Sequence, residues 1–329
     1  MTSPATAEVV TLGEAFVGLV ADGGASLADA TTFRRHVIGA EANLAVGLTR
    51  LGHRVAFIGR VGADGFGTAV LRRLRGEGVD VTHLHVDPSA STGVMIRDRR
   101  GFGASEAVYH RRDSAGSRLA VDEVEAAAPA IRAASWLHVT GITPALSPSA
   151  RDAQARAIDL ARDAGVAVSF DVNLRRRLWS TDEAAAVLAH LVRNSTLVFG
   201  SPDELALVAG IDDEDGSGAQ AAGKLLEDGV STVVAKLGGA GAALHDRIGA
   251  GLAVPAQTVV HVVDPVGAGD AFCAGFLAAR LEGLPDSIAL RWAAVCGAHA
   301  VATEGDMDGL ADRASLVRTL AGDGADILR

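Results

Sequence analysis

Apolar runs and amphipathic stretches take turns along the chain, and their order predicts the architecture. Val9–Leu12 reads as a first strand and Glu14–Val20 as a second extended piece. Ala42–Leu51 reads as a helix, Val55–Gly59 as a strand and Gly67–Gly76 as a helix. Thr92–Asp98 and Ser105–Arg111 alternate apolar and polar positions, which predicts a hairpin around the turn Arg99–Gly103. From there the order is regular. Helix Val121–Ala133 leads to strand Trp136–Thr140, helix Ala150–Ala164 to strand Ala167–Asp171, helix Asp182–Arg193 to strand Leu197–Phe199, and helix Gly218–Asp228 to strand Thr232–Leu237. Such alternation implies βαβ units in an α/β fold, a central mostly parallel sheet with helices on both faces. Ligands of these sheets bind at the carboxyl ends of the strands. The early extended pieces break the alternation. Segments of about 14–36 and 92–112 are therefore assigned to a small β flap, or lid, inserted in one domain spanning 1–329. No linker, repeat or low-complexity segment divides the chain.

Composition narrows the partners. The 329 residues can bury a large core, and 49% are hydrophobic. The net charge of −10 leaves no electrostatic footprint for nucleic acid or an anionic membrane, although a local arginine cluster can still hold an anionic substrate. Lys224 and Lys236 are the only lysines, which makes Lys236 conspicuous. Cys273 and Cys296 sit in apolar, helix-like surroundings and read as core thiols of a reducing compartment. With no signal peptide and no apolar run of spanning length, a cytoplasmic protein without a membrane partner is expected.

The most informative stretch is Asp264-Pro265-Val266-Gly267-Ala268-Gly269-Asp270. It follows strand-like His261-Val262-Val263 and opens a small-residue helix that runs to Leu281. The free N–H groups of a first helical turn suit an anion, and Gly267, Ala268 and Gly269 let a phosphate approach the backbone. Asp270 in the same turn makes sense if a hydroxyl loses its proton while attacking phosphorus. The plainer alternative is a glycine turn with an aspartate capping its helix. Other unusual residues follow predicted strands. They are Gly141–Pro144, Asn173 and Arg175, Ser201–Glu204, and Lys236–Gly241. In a parallel sheet all share one rim with Asp270. Lys236 with Gly238 and Gly241 is either a second phosphate-contacting turn or an ordinary β-turn. Glu204 could hold a hydrated Mg²⁺, or serve only as a first-turn carboxylate. Arg175-Arg176-Arg177 could grip a carboxylate or a phosphate, although at least one of them belongs to solvent. Tyr109, the only tyrosine, reads by itself as a packing aromatic. His83 and His85 lack a third ligand at metal spacing. No G-x-G-x-x-G fingerprint and no G-x-x-x-x-G-K-[ST] loop occurs.

With these residues in hand, the chain resembles the ribokinase-like (PfkB) carbohydrate kinases over nearly its whole length. The Asp264–Asp270 run matches the family's most diagnostic motif; Gly39-Ala40-Glu41-Ala42-Asn43 and Gly59-Arg60-Val61-Gly62-Ala63-Asp64 match earlier ones. Within the family it looks most like 2-keto-3-deoxygluconate kinase. The matching pieces are Gly13-Glu14, Tyr109-His110-Arg111, Ser114–Ser117, Thr140–Ser147, and Asp171-Val172-Asn173-Leu174-Arg175 before Leu178-Trp179. The resemblance implies that Asp270 is the base and that Gly267, Ala268 and Gly269 form the anion hole. It places Lys236, Gly238, Gly241, Ser201 and Asp264 on the nucleotide side. Glu204 falls where the family has an N-x-x-E motif tied to Mg²⁺, with Ser201 replacing its asparagine. Gly39, Asn43, Tyr109, Arg111, Ile142 and Arg175 match positions that contact the acid sugar. Two departures bear on the substrate. Ile38-Gly39 stands where the family has Gly-Gly, and Met95 stands where the keto-acid kinases carry a substrate-contacting tyrosine.

The expectation is a kinase that uses ATP and Mg²⁺ to phosphorylate a primary hydroxyl of a sugar acid, 2-keto-3-deoxygluconate or a close relative, under a closing flap. A neutral sugar such as fructose or ribose is the nearest alternative, but it would need neither Arg111 nor Arg175. A dinucleotide-dependent oxidoreductase lacks its fingerprint, and a silent nucleotide or sugar sensor would not need Asp270. A monovalent-cation requirement and pairing of two copies through the flap are left open.

Overall fold

In the computed structural model, the parallel sheet grows outward from Val9–Leu12, whose neighbours are both parallel to it. The structure describes residues 6–98, 106–213, 216–249 and 251–322. The predicted turn Arg99–Gly103 lies outside them. The strands are β1 (Val9–Leu12), β2 (Phe16–Ala21), β3 (Phe33–Ile38), β4 (Val55–Gly62), β5 (Leu84–Asp87), β6 (Val94–Arg97), β7 (Ala107–His110), β8 (Trp136–Thr140), β9 (Ala167–Asp171), β10 (Leu197–Gly200), β11 (Thr232–Lys236), β12 (Ala242–Asp246) and β13 (Leu252–Val254). The helices are α1 (Ala40–Arg50), α2 (Gly65–Gly76), α3 (Val121–Ala126), α4 (Ala128–Ala133), α5 (Thr143–Leu146), α6 (Pro148–Asp163), α7 (Thr181–Arg193), α8 (Pro202–Ala209), α9 (Ala219–Glu227), α10 (Ala268–Leu281), α11 (Asp286–Val301) and α12 (Arg313–Ala321).

Among the described residues the main sheet runs β13-β12-β11-β10-β9-β8-β1-β4-β5. It is parallel from β11 to β5, and β12 and β13 add an antiparallel edge. Adjacent strand residues go to opposite faces, so Val10, Ile58 and Val198 join one apolar core while Val9, Phe57 and Phe199 join the other. The first core packs under α3, α4 and α6–α9, the second under α1, α2 and α10–α12. A second sheet, β3-β2-β6-β7, is separate.

Three expectations needed correction. The helix predicted over Val121–Ala133 breaks at Ala127, because Pro129 in the first turn of α4 has no N–H to continue the ladder. His261–Val263 is irregular and exposed rather than a strand. Among the described residues only Val263 N–H finds a backbone partner there, the carbonyl of Val301, 2.7 Å away. The extended piece read from Glu14 begins as a strand only at Phe16, since the Glu14 carboxylate is buried in polar contacts described below.

The sheet also aims α10. Phe199 on β10 meets Phe272 and Phe276 edge-on, at centroid distances of 6.3 and 5.4 Å. Both phenylalanines lie one and two turns beyond Ala268, so this packing points the helix N-terminus at the carboxyl rim of the strands.

Candidate active site

Gly267 caps α10 with φ 81°. A Cβ there would also stand 3.0 Å from the Asp306 carbonyl oxygen, so both conformation and space demand glycine. The amides of Gly269 and Asp270 find no backbone partner among the described residues. That is the anion-ready end of a helix.

The Asp270 carboxylate is half-buried in this first turn. Asn43 Nδ2, from the start of α1, donates to its Oδ2 at 2.8 Å, and Asn173 Nδ2, just past β9, donates to Oδ1 at 3.3 Å. Burial pushes its pKa up to about 7, with the nearby Asp171 adding to the rise; Asn43, Arg175 and Lys236 pull the other way. A carboxylate poised near neutrality and held by two amides is suited to accept a proton from a hydroxyl.

Lys236 ends β11 and donates to Asp171 Oδ1 at 2.6 Å. Burial alone would lower its pKa, but the Asp171 carboxylate more than reverses this and keeps the ammonium charged. A Cβ on Gly269 would lie 3.4 Å from Lys236 Nζ, so the ammonium stands directly against the α10 turn.

Two cavities meet at this turn. One, of about 370 Å³, lies under the second sheet and is lined by Gly39, Asn43, Tyr109, Arg111, Ile142 and Arg175, together with Gly267, Asp270 and Glu204. The other, of about 610 Å³, is lined by Gly238, Gly241, Ala268 and the small residues Ala294, Gly297 and Ala298 of α11. Lys236, Pro265 and Gly269 line both. The structure therefore brings together every substrate-side position singled out from the sequence, and gathers Lys236, Gly238 and Gly241 on the opposite side of the turn.

Ser201 and Asp264 line neither cavity. Ser201 caps α8 in a reciprocal box. Its hydroxyl accepts from Glu204 N–H at 3.4 Å, and Glu204 Oε2 accepts from Ser201 N–H at 2.8 Å. Glu204 Oε1 accepts from Leu174 N–H at 2.8 Å, which fixes this carboxylate at the cavity wall. Asp264 accepts from Val266 N–H at 3.2 Å and pairs with both terminal nitrogens of Arg97, which reaches over from β6. This buried pair ties the second sheet to the loop in front of α10.

The two arginines on the sugar side differ. Arg111 is buried and already neutralised, because its Nε and Nη2 lie 2.7 and 2.5 Å from Glu14 Oε2. Ser114 completes the Glu14 carboxylate at 2.5 Å, and the guanidinium stacks 4.7 Å from the Phe16 ring centre. Arg175 is exposed, and its one hydrogen bond among the described residues goes to the Leu174 carbonyl at 3.3 Å.

Three partners were not visible from the sequence. They are Asp171 beside Lys236, Glu14 beside Arg111, and Asp306, which accepts from Asn43 at 3.4 Å. Burial raises the Asp306 pKa to about 6, against the pull of Arg97.

The pattern of pfkB family carbohydrate kinases matches residues 6–313. The chain belongs to that family. As a carbohydrate kinase it is a phosphotransferase with an alcohol group as acceptor. It is 37% identical over 306 residues to 2-dehydro-3-deoxygluconokinase of Thermoproteus tenax, covering 92% of this chain and 90% of that one. It is 34% identical to fructokinase of Klebsiella pneumoniae, over 94% of this chain and 98% of that one. Among solved structures, a putative ribokinase II from E. coli in complex with ATP and Mg²⁺ superposes with a TM-score of 0.88 at 27% identity, covering 96% and 99% of the two chains. The fold of this kinase is ribokinase-like.

Proposed function

We propose that this kinase transfers the γ-phosphoryl group of ATP to a primary hydroxyl of a sugar acid, 2-keto-3-deoxygluconate (2-dehydro-3-deoxygluconate) or a close relative. One observation carries the acid. Arg175 presents an exposed guanidinium to the sugar-side cavity and makes no ion pair with a carboxylate among the described residues. A neutral sugar would leave that charge unanswered, whereas a carboxylate pairs with it bidentately. Arg111 adds Nη1, which makes no hydrogen bond within the described residues.

Each residue then has a task. Asn43 and Asn173 orient Asp270, which takes the proton of the attacking hydroxyl. The α10 amides and Lys236 hold the γ-phosphate, so positioning and charge carry most of the catalysis. The larger cavity, walled by small residues of α11, takes the rest of the nucleotide, as the ATP complex of the E. coli relative supports. Among the described residues no three acids, histidines or cysteines are placed to hold a metal outright. Glu204, fixed at the cavity wall, would hold a hydrated Mg²⁺, an ion that keeps its waters and uses few carboxylates. When bound, the ion neutralises charge developing on the phosphate oxygens.

Lys236→Ala tests the nucleotide side. Loss of one charge-assisted contact should cost about 10–100-fold in kcat/KM for ATP, with a smaller change in the KM of the sugar. A raised sugar KM with an unchanged KM for ATP would put the lysine on the wrong side of the turn.

Phe16, Ile38 and Met95 form an apolar cluster at the sugar-side cavity, and this wall favours the neutral-sugar alternative. Steady-state kinetics with ATP and Mg²⁺, comparing sugar acids with fructose and ribose, decides between them. The acid should have the higher kcat/KM. Preference for fructose would sink the acid reading and leave the kinase intact.

A further inference from the structure

A third cavity, of about 360 Å³, lies between β3 and α2 and shares no lining residue with the other two. Arg35, His36, Arg72 and Arg73 line it, with one acid, Asp308. That acid is already taken. His36 Nδ1 lies 3.1 Å from one carboxylate oxygen and Arg73 Nη2 2.9 Å from the other. The hydrogen bond from His36, foremost among its partners, holds the Asp308 pKa down at about 2. Both oxygens of Asp308 are thus committed to His36 and Arg73. His36 Nε2 is buried with no hydrogen-bond partner among the described residues. Arg35 and Arg72 are exposed and have no ion-pair partner among the described residues. Gly65, Thr68 and Ala69 on the first turns of α2 complete a wall of small side chains. In a chain of net charge −10, uncompensated guanidiniums gathered around a cavity are a local reversal of sign.

We infer that this cavity is a second anion site, built to bind the phosphate group of a small molecule. Two unpaired guanidiniums match a dianion, and a singly charged carboxylate would use only one of them. The cavity volume lies within the range of small-molecule sites. An occupant ties β3 to α2. Along β3, Arg35 and His36 run directly into Ile38 and Gly39 of the sugar-side cavity, and Asp308 follows Asp306 by two residues. The site thus adjoins the catalytic machinery without sharing it.

Isothermal titration calorimetry at fixed ionic strength tests this, with inorganic phosphate and with a hexose 6-phosphate as probes. Three proteins are compared: the parent, Arg35→Ala/Arg72→Ala, and Lys236→Ala as a control for phosphate at the catalytic turn. Saturable binding is expected in the parent, weakened about 10–100-fold in the double arginine variant and retained in Lys236→Ala. Neither arginine has an ion-pair partner to lose among the described residues, so the double variant should melt with the parent; Arg35→Gln/Arg72→Gln repeats the test with the side-chain length kept. Tighter binding of the ester than of phosphate supports the site with a phosphorylated metabolite as ligand, and equal affinity supports it with free phosphate. Binding that survives removal of both arginines, binding that vanishes with Lys236, or equal competition by chloride overturns the proposal.

Discussion

Asp270→Asn should lower kcat by on the order of 10²–10⁴-fold while the nucleotide still binds. Asparagine keeps the shape and can still accept from Asn43, but it cannot take a proton. The fold holds the Asp270 carboxyl near pKa 7 chiefly by burying it, so the charge is disfavoured in the native state. The neutral variant should therefore melt no lower than the parent at pH 8, which separates lost chemistry from lost structure. The same shift sets a pH profile for the parent. The base works only when deprotonated, and its raised pKa means that this form is lost as pH falls through about 7. Below that point kcat/KM should drop about tenfold per pH unit, and the limb should be missing from the residual activity of Asp270→Asn. Near-normal turnover in the variant would mean that the base lies elsewhere.

Arg175→Ala should cost about 10–100-fold in kcat/KM for 2-keto-3-deoxygluconate and little for fructose. The contrast follows from the surroundings of the arginine. It makes no ion pair among the described residues, and Asp270, whose charge it favours, keeps its two amide donors, so its removal should leave the melting temperature within error. A carboxylate substrate loses its counter-charge, and a neutral sugar loses nothing comparable. Arg111 would not give so clean a result. Its removal also leaves Glu14 buried without its cation, so folding and substrate binding would suffer together. Equal harm to both sugars in Arg175→Ala would show that this guanidinium positions the site without reading charge.

Local chemistry was legible in the sequence. The glycine turn before Asp270 depends on neighbours along the chain, and Gly267 does take the left-handed conformation that such a turn requires. Strands β8 to β11 were legible because they are buried on both faces and read as short apolar runs. Their shared direction placed Gly141, Asn173, Ser201 and Lys236 on one rim before any contact was known. Contacts between distant segments were not legible. Asp306 meets Asn43 across 263 positions, and Asp171 meets Lys236 across 65; no spacing rule links such pairs. Strand β3 was concealed by Arg34, Arg35 and His36, whose polarity follows from its place at the edge of the second sheet. His261–Val263 misled in the opposite way. Its β-branched residues favour extended backbone, but among the described residues no strand lies alongside to pair with them.

Among the described residues the two cavities share Lys236, Pro265 and Gly269, and this has a stereochemical consequence. A phosphoryl group passing between them meets a protonated ammonium, a proline ring and a bare glycine backbone. None of the three has a lone pair free to carry it. With Asp270 acting as the base and none of these three residues offering a nucleophile, the proposed reaction binds donor and acceptor together and passes the group in one displacement. A single in-line displacement turns phosphorus inside out, and a chiral γ-phosphate would leave this protein with its configuration inverted.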